Sequence, residues 1–286
     1  MNLGQTLNTA RNTLAQADVE DAALEAEVLL RHVLHIERSH LYRDYLNEIN
    51  PADSDTYFSF INRRLTGEPS AYITGIKEFY GLEFSVNSSV LIPRPETELL
   101  IETALSLVKK RGYGTIVDVG TGSGCITVCL ALNLPKVKFY ATDISDTALD
   151  IAAKNCRKHG VEDRVSFLKG DLLEPLPEPV DMVLANLPYV RREDVPGVNT
   201  FPFEPVSALD GGEEGLTWIR SLCHQLPGKL LNHGSVLLET GEGQAQTITA
   251  LLGKIVPGGA IDVLFDYAGI GRLVQVCLPP DSRSES

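Results

Sequence analysis

The sequence predicts an α/β protein, a doubly wound and mostly parallel sheet preceded by a small helical module. Beyond residue 115, short apolar runs rich in β-branched residues alternate with stretches of helical spacing, the pattern of parallel strands joined by crossover helices. The first run, Thr115-Ile116-Val117-Asp118-Val119, passes directly into Gly120-Thr121-Gly122-Ser123-Gly124 and then a helix. Before residue 74 the apolar spacing is helical. A chain of 286 residues, 43% hydrophobic and 22% charged, can bury a large core, and one big domain plus a smaller one is expected.

Residues 1–73 read as the helical module. Leu14 precedes an acidic break at Asp18-Val19-Glu20-Asp21, after which Leu24, Val28, Leu29 and Val33 recur at the spacing of an amphipathic helix. A further helix runs through Tyr57, Phe58, Ile61 and Leu65 and is stopped by Gly67 and Pro69. His32 and His35 share a helix without a third ligand in view, so packing or surface roles are expected there and no metal site. The module carries no catalytic constellation and suits a docking surface for a partner. Residues 74–92 read as a connector with a short hairpin around Gly81. In Leu91-Ile92-Pro93-Arg94-Pro95-Glu96-Thr97-Glu98, Pro95 fits the first turn of a helix, and Glu96 and Glu98 complement its positive end. The double proline around Arg94 suggests that this stretch also lines a site.

The sheet domain spans 93–286. The glycines of Gly120-Thr121-Gly122-Ser123-Gly124 let the backbone approach a ligand closely, and the helix amino terminus behind them favours a carboxylate or phosphate. The spacing is G-x-G-x-G. Cys125 stands where a dinucleotide fingerprint needs its last glycine, and the Gly-Lys-Ser/Thr of a P-loop is absent. The next strand, Val137 to Thr142, ends in Asp143, where an acid can accept both hydroxyls of a ribose; a plain turn role is the alternative. A third strand, Val165 to Lys169, leads to Gly170-Asp171-Leu172, an acceptor and an apolar neighbour suited to an adenine ring.

The buried strand Val180 to Ala185 then delivers Asn186-Leu187-Pro188-Tyr189 to the carboxyl edge of the sheet, where ligands gather in open parallel sheets. Asn186 offers a side-chain carbonyl, Leu187 a backbone carbonyl whose direction Pro188 restricts, and Tyr189 a flat face. Two acceptors and a platform suit a planar NH2 group, although the same tetrapeptide is also ordinary turn chemistry. The long loop from Arg191 to Gly215 suits a wall or lid. A helix near Leu216 to Leu231, the strand Ser235 to Glu239, a helix near Gln244 to Leu252, and strands Ala260 to Phe265 and Arg272 to Cys277 complete the sheet, with a frayed tail from Pro279 to Ser286.

Composition narrows the classes. Five cysteines form no C-x-x-C pair, so core roles are expected for them. A formal charge of −13 lowers the expectation of a nucleic-acid partner. Neither a basic-then-apolar leader nor a long uninterrupted apolar run is visible, so a cytoplasmic protein without a membrane partner is expected.

Taken together, Asp118, the glycine loop, Asp143, Asp171 and the Asn-Leu-Pro-Tyr element resemble a class I S-adenosylmethionine-dependent methyltransferase with a Rossmann-like sheet. The stretches Leu91 to Glu98 and Glu204-Pro205-Val206-Ser207-Ala208-Leu209-Asp210-Gly211-Gly212, with Gly215-Leu216, are similar to the peptide-chain release factor glutamine methyltransferases, the HemK/PrmC family. The resemblance covers nearly the whole chain. It implies S-adenosyl-L-methionine as cofactor, held by Gly120, Thr121, Gly122, Ser123, Gly124, Asp143, Asp171, Leu172 and Asn186, with Asn186, Leu187, Pro188 and Tyr189 as catalytic residues. It implies class 1 release factors as partners, methylated on the glutamine of a Gly-Gly-Gln tripeptide, with Tyr189 packed on the amide plane. A monomer is expected. The family usually carries Asn-Pro-Pro-Tyr; Leu187 in the second position is expected to cost a little rigidity and no activity. Three other readings share some of these features: a nucleic-acid methyltransferase acting on a flipped base amine, a ribosomal-protein glutamine methyltransferase, and a scaffold that binds cofactor without transfer. The acidic charge and the two flanking stretches argue against the first.

Overall fold

The computed structural model describes residues 1–198 and 202–279. Two compact units divide the chain, residues 1–76 and 77–286.

The first unit packs α1 (Leu3–Gln16), α2 (Ala22–Leu34), α3 (Arg38–Arg43), α4 (Pro51–Leu65) and α5 (Ser70–Thr74) around Leu7, Leu14, Leu29, Leu30, Tyr57 and Ile61. A capping box starts α1: the Asn2 side chain accepts from Gln5 N at 2.8 Å, and the Gln5 side chain accepts from Asn2 N at 3.1 Å. On α2, Leu29 is buried and Val33 packs against the core as expected, but the rest of the buried face differs. Leu24 and Val28 are 52% and 37% exposed, whereas Ala26, Leu29 and Leu30 are buried together with Glu27. Glu27 is held on the buried face by partners: its carboxylate lies 2.8 Å from Arg38 Nε and accepts from Tyr42 Oη at 2.7 Å. Only the Glu27 end of this pair is buried; Arg38 covers it from the solvent side.

The second unit carries a hairpin, β1 (Ile76–Phe79) and β2 (Leu82–Ser85), whose turn residues Tyr80 and Gly81 both have positive φ, +53° and +69°, as a tight two-residue turn requires. Its main sheet comprises β3 (Thr115–Val119), β4 (Lys138–Asp143), β5 (Val165–Lys169), β6 (Val180–Ala185), β7 (Leu230–Glu239), β8 (Ala260–Phe265) and β9 (Gly271–Cys277), in the order β5-β4-β3-β6-β7-β9-β8. Strands β3 to β7 run parallel, and β9 is antiparallel to both neighbours. Successive strand side chains alternate between faces. Ile116, Leu184 and Leu237 pack with α6 (Glu98–Arg111), α7 (Cys125–Asn133) and α8 (Asp146–Lys158). Val117, Val183 and Val236 pack with α9 (Thr217–Gln225) and α10 (Ala245–Ile255).

Helix α9 stops short of the expected boundary, because Pro227 and the left-handed Gly228 (φ +78°) break it and β7 begins at Leu230. All five cysteines are buried and free. Among the described residues no helix is long and apolar enough to cross a membrane, and no group of three or more His, Cys, Asp or Glu is arranged to hold a metal ion. The expected lid includes residues 199–201, and the expected tail 280–286; both of these segments lie outside the described residues.

Strand order reverses beside β3: β4 and β5 lie on one side of it, β6 and β7 on the other. Val119 pairs with Ala185, so Gly120 and Asn186 emerge side by side at the switch point, where a crevice opens.

Candidate active site

That crevice is a cavity of about 480 Å³, within the usual size of small-molecule sites. On one side it is lined by Gly120, Thr121, Gly122, Ser123, Asp143, Ile144, Asp171 and Leu172, and on the other by Arg94, Thr97, Asn186, Leu187 and Pro188.

Main-chain hydrogen bonds shape the glycine loop. The amides of Gly120 and Thr121 both donate to Thr142 O, at 2.9 and 3.0 Å, tying the loop to the end of β4. Asp143 Oδ2 accepts from Gly122 N at 3.0 Å and Oδ1 from Ser145 N at 2.9 Å, so each oxygen is held by one backbone donor and keeps a lone pair. Burial pushes its pKa up, against the pull of these donors. Gly122 has φ +55°, and a Cβ built there would meet only Gly120 O at 3.9 Å, so the position is open. Gly124 differs from the expectation. It is absent from the cavity wall, and a Cβ there would come within 3.0 Å of Ala152. Its lack of a side chain lets the start of α7 close on α8.

Asp118 lies behind the loop. Its Oδ2 accepts from Thr121 Oγ1 at 2.7 Å and Thr127 Oγ1 at 2.8 Å, while Oδ1 has no partner among the described residues. Burial pushes the acid up to about 6. Two features of this side escaped sequence reasoning. Ile144 is 66% exposed on the cavity rim, an apolar face left to a ligand. Leu172 is held at φ +50°, a costly conformation for a branched side chain of the kind found at ligand clamps.

At the opposite side, Asn186 Nδ2 donates to Thr97 Oγ1 at 3.1 Å, and Asn186 Oδ1 takes no hydrogen bond from the described residues. The Leu187 side chain is buried in the core, and its Cδ2 lies 3.0 Å from where a Gly120 Cβ would stand. Leucine here therefore fills space behind the glycine loop. Tyr189 is the member of the tetrapeptide that the structure places elsewhere. It is missing from the cavity wall and lines a neighbouring hollow with Gly241, Gln244 and Arg272. Gly241 lets the ring close in, since a Cβ there would be 3.1 Å from Tyr189 Cδ2, and Gln244 Nε2 donates to Tyr189 O at 2.9 Å. Gly241 thus packs against one edge of the Tyr189 ring.

The two flanking stretches meet. Glu204 is buried; its Oε1 accepts from Ile92 N at 2.8 Å, and its Oε2 bonds Arg94 Nη2. Val190 pairs with Asp210, and Gly211 packs its α-carbon against the Pro188 carbonyl, where a Cβ would come within 2.6 Å. Val206, Ser207, Ala208 and Asp210 of the long loop then form part of the cavity wall. Thr97 lies in the stretch around Arg94 that the sequence suggested lines a site, and it does line the cavity, whereas the neighbouring Glu239 was read only as a strand end. A charged residue closing the apolar run Val236-Leu237-Leu238 at the carboxyl edge was the available signal.

This site fits S-adenosylmethionine. A carboxylate with spare lone pairs suits a diol, exposed Ile144 suits a flat ring, and the open Gly122 suits a close approach of the methionine part. Fold and site together define a class I S-adenosylmethionine-dependent methyltransferase. Residues 5–75 match the profile of the PrmC N-terminal domain, and residues 95–200 that of the methyltransferase small domain. The chain is 40% identical over 274 residues to a release factor glutamine methyltransferase of Moorella thermoacetica, covering 95% of this chain and 97% of that one. It is 40% identical to a protein of the same name from Bordetella pertussis, covering 87% and 93%. It belongs to the release factor glutamine methyltransferase family. Among solved structures, the hMettl16 catalytic domain in complex with a MAT2A 3′UTR hairpin shares the fold at a TM-score of 0.55 and 17% identity, covering 81% of this chain and 84% of that one. A methyltransferase from Pyrococcus furiosus does so at 0.51 and 16%, covering 76% and 95%.

Proposed function

We propose that the chain transfers the methyl group of S-adenosyl-L-methionine to the side-chain amide nitrogen of the glutamine in the Gly-Gly-Gln tripeptide of class 1 release factors. The observation that carries this reading is the orientation of Asn186, whose Nδ2 is tied to Thr97 and whose Oδ1 is left to accept. Relatives named for this activity, 40% identical over nearly the whole chain, support the substrate.

When bound, the cofactor supplies an electrophilic methyl group on a sulfonium. Gly120, Thr121, Gly122 and Ser123 hold its methionine part, Asp143 accepts from its ribose hydroxyls, and Asp171, Leu172 and Ile144 hold its adenine. An amide nitrogen is a poor nucleophile because its lone pair is delocalised. Asn186 Oδ1 and the Leu187 carbonyl would accept its two hydrogens, raise the electron density on nitrogen and fix its direction in the cavity. Positive charge then grows on that nitrogen, the same acceptors stabilise it more strongly than they stabilised the ground state, and the nitrogen gives up one of its two hydrogens as a proton to water, leaving a neutral N-methyl amide. Pro188 keeps the Leu187 carbonyl directed, and Tyr189 supports the corner from behind.

In this reading residues 1–76 dock the release factor, and the chain acts as a cytoplasmic monomer without nucleic acid. Incubation with labelled cofactor and purified release factors, followed by mass spectrometry of the Gly-Gly-Gln peptide, tests it. One added methyl on the glutamine is expected; an unmodified glutamine in every release factor sinks the reading.

A further inference from the structure

Glu239 ends β7 as Asn186 follows β6, and with Ala185 paired to Leu238 the two residues stand next to each other at the carboxyl edge of the sheet. Both follow by two positions a residue packed on the α6 and α7 face, Leu184 and Leu237, so strand alternation sends both side chains to that face. Thr97, 3% exposed, lies there just before α6. The Glu239 carboxyl is 2% exposed, and its Oε2 has no hydrogen-bond partner among the described residues. The hydroxyls of Thr97 and Tyr189 are near enough to favour its charged form, and neither closes a hydrogen bond to it in this structure. Its other titratable neighbours are Glu96 before α6, Arg272 on β9 and the Cys125 thiol at the start of α7. A carboxyl buried this deeply costs stability when it ionises unless it is paired and hydrogen-bonded.

We propose that Glu239 is a positioning residue for methyl transfer, fixing through Thr97 which end of the Asn186 amide faces the cavity. The inference rests on the glutamine reading, in which the Asn186 oxygen must face the substrate. The two ends of an asparagine amide are nearly equal in size, so shape alone does not choose between them; hydrogen-bond polarity does. A charged carboxylate only accepts. With Glu239 ionised, the Thr97 hydrogen is drawn to it, and the Thr97 oxygen offers only lone pairs toward Asn186. The amide must then present Nδ2 to Thr97, which is the 3.1 Å bond observed, and turn Oδ1 outward. A neutral Glu239 can instead donate to Thr97, whose own hydrogen becomes available to Asn186 Oδ1. The NH2 end then faces outward and opposes the amide hydrogens of the substrate. Burial pushes Glu239 up to about 7, which puts this choice near neutrality.

Steady-state kinetics with purified release factor, at saturating cofactor and from acid to alkaline pH, test the inference, with calorimetry of cofactor binding alongside. Wild-type kcat should rise through one titration near neutrality, with the KM for release factor nearly constant. Thr97→Val should lower kcat about tenfold to a hundredfold, remove the titration and leave cofactor affinity unchanged. Thr97→Ser, which keeps the hydroxyl, should recover both the rate and the titration. Glu239→Gln should flatten the pH profile, and adding it to Thr97→Val should cost nothing further, since both act through one hydrogen-bond chain. Unchanged kcat and pH dependence in Thr97→Val, or a loss carried wholly by cofactor affinity, overturns the inference. If Thr97→Val does not fold, Glu239→Gln decides, and a wild-type titration in that variant overturns it. A wild-type enzyme that leaves the glutamine unmodified overturns the proposed function and the inference with it, whereas an active wild type with unaffected variants overturns the inference alone.

Discussion

On the side of the cavity formed after β3 and β4, backbone geometry shapes the wall: Gly120 and Thr121 bond the Thr142 carbonyl, and Gly122 and Ser145 hold the Asp143 carboxylate. On the side formed after β6 and β7, side chains from distant segments meet, with Thr97 bonded to Asn186 and facing Glu239. Backbone shapes a cradle that is set as soon as the loop folds. A side-chain chain sets polarity, which small chemical changes can reverse without moving any atom far. Substitutions on the first side should therefore act on binding and those on the second on turnover, and four experiments can break or sharpen that division.

The largest effect is expected at Asn186. Asn186→Ala removes an acceptor that strengthens as charge develops, so turnover should fall about a hundredfold to a thousandfold at saturating cofactor. A wild-type single-turnover rate for this variant ends the division and the mechanism together. Next comes Asp143→Ala, which should weaken cofactor binding about tenfold to a hundredfold, the worth of charge-assisted hydrogen bonds. Calorimetry showing a dissociation constant within about twofold of wild type rules the ribose role out. The glycines come third. Gly122→Val should place a side chain in open cavity, with cofactor affinity falling about tenfold and roughly 1–2 kcal/mol of strain from the positive φ. Gly124→Val meets the same strain and also Ala152, so its thermal midpoint should drop further while the folded protein keeps its affinity. Equal affinity losses at both positions contradict separate roles for the two glycines. The smallest change is Leu187→Pro, which removes buried packing against Gly120 and should cost about 1–2 kcal/mol in denaturant titration, with turnover within about threefold of wild type. A large loss of turnover shows that the leucine side chain does more than fill space.

Much of the first side was legible in the sequence, because a backbone-lined site needs glycines at fixed spacing and an acid where the next strand ends. Asn186 was legible for a related reason, as a polar residue and a proline directly after a wholly buried strand. The Thr97 stretch was legible as a lining but not its pairing with Asn186, and Glu239 was not legible, since both relations arise only when strand order places the ends of β6 and β7 together. Periodicity found α2 and two of its inward residues, Leu29 and Val33, but not the rest, because Leu24-Val28 and Ala26-Leu30 satisfy the same spacing and a buried Glu27 is not a residue that apolar periodicity registers. The packing of Gly241 on Tyr189 and of Ala152 on Gly124 was not legible either, since these partners are distant in the chain.

The carboxyl that closes β7 also ties folding to proton balance. Its acidity in the native chain is pushed up to about 7 from an ordinary 4.5, so an unfolded chain gives up this proton first. The stabilisation from keeping it is complete below the unfolded value, declines as pH rises from there, and is gone once pH has passed the native value. Glu239→Gln should therefore raise the thermal midpoint more on the alkaline side of neutrality than in mild acid, and an equal shift at both would deny the linkage. Alkaline conditions, in which a charged Glu239 turns the Asn186 oxygen toward substrate, are then also those in which this group contributes least to holding the fold closed.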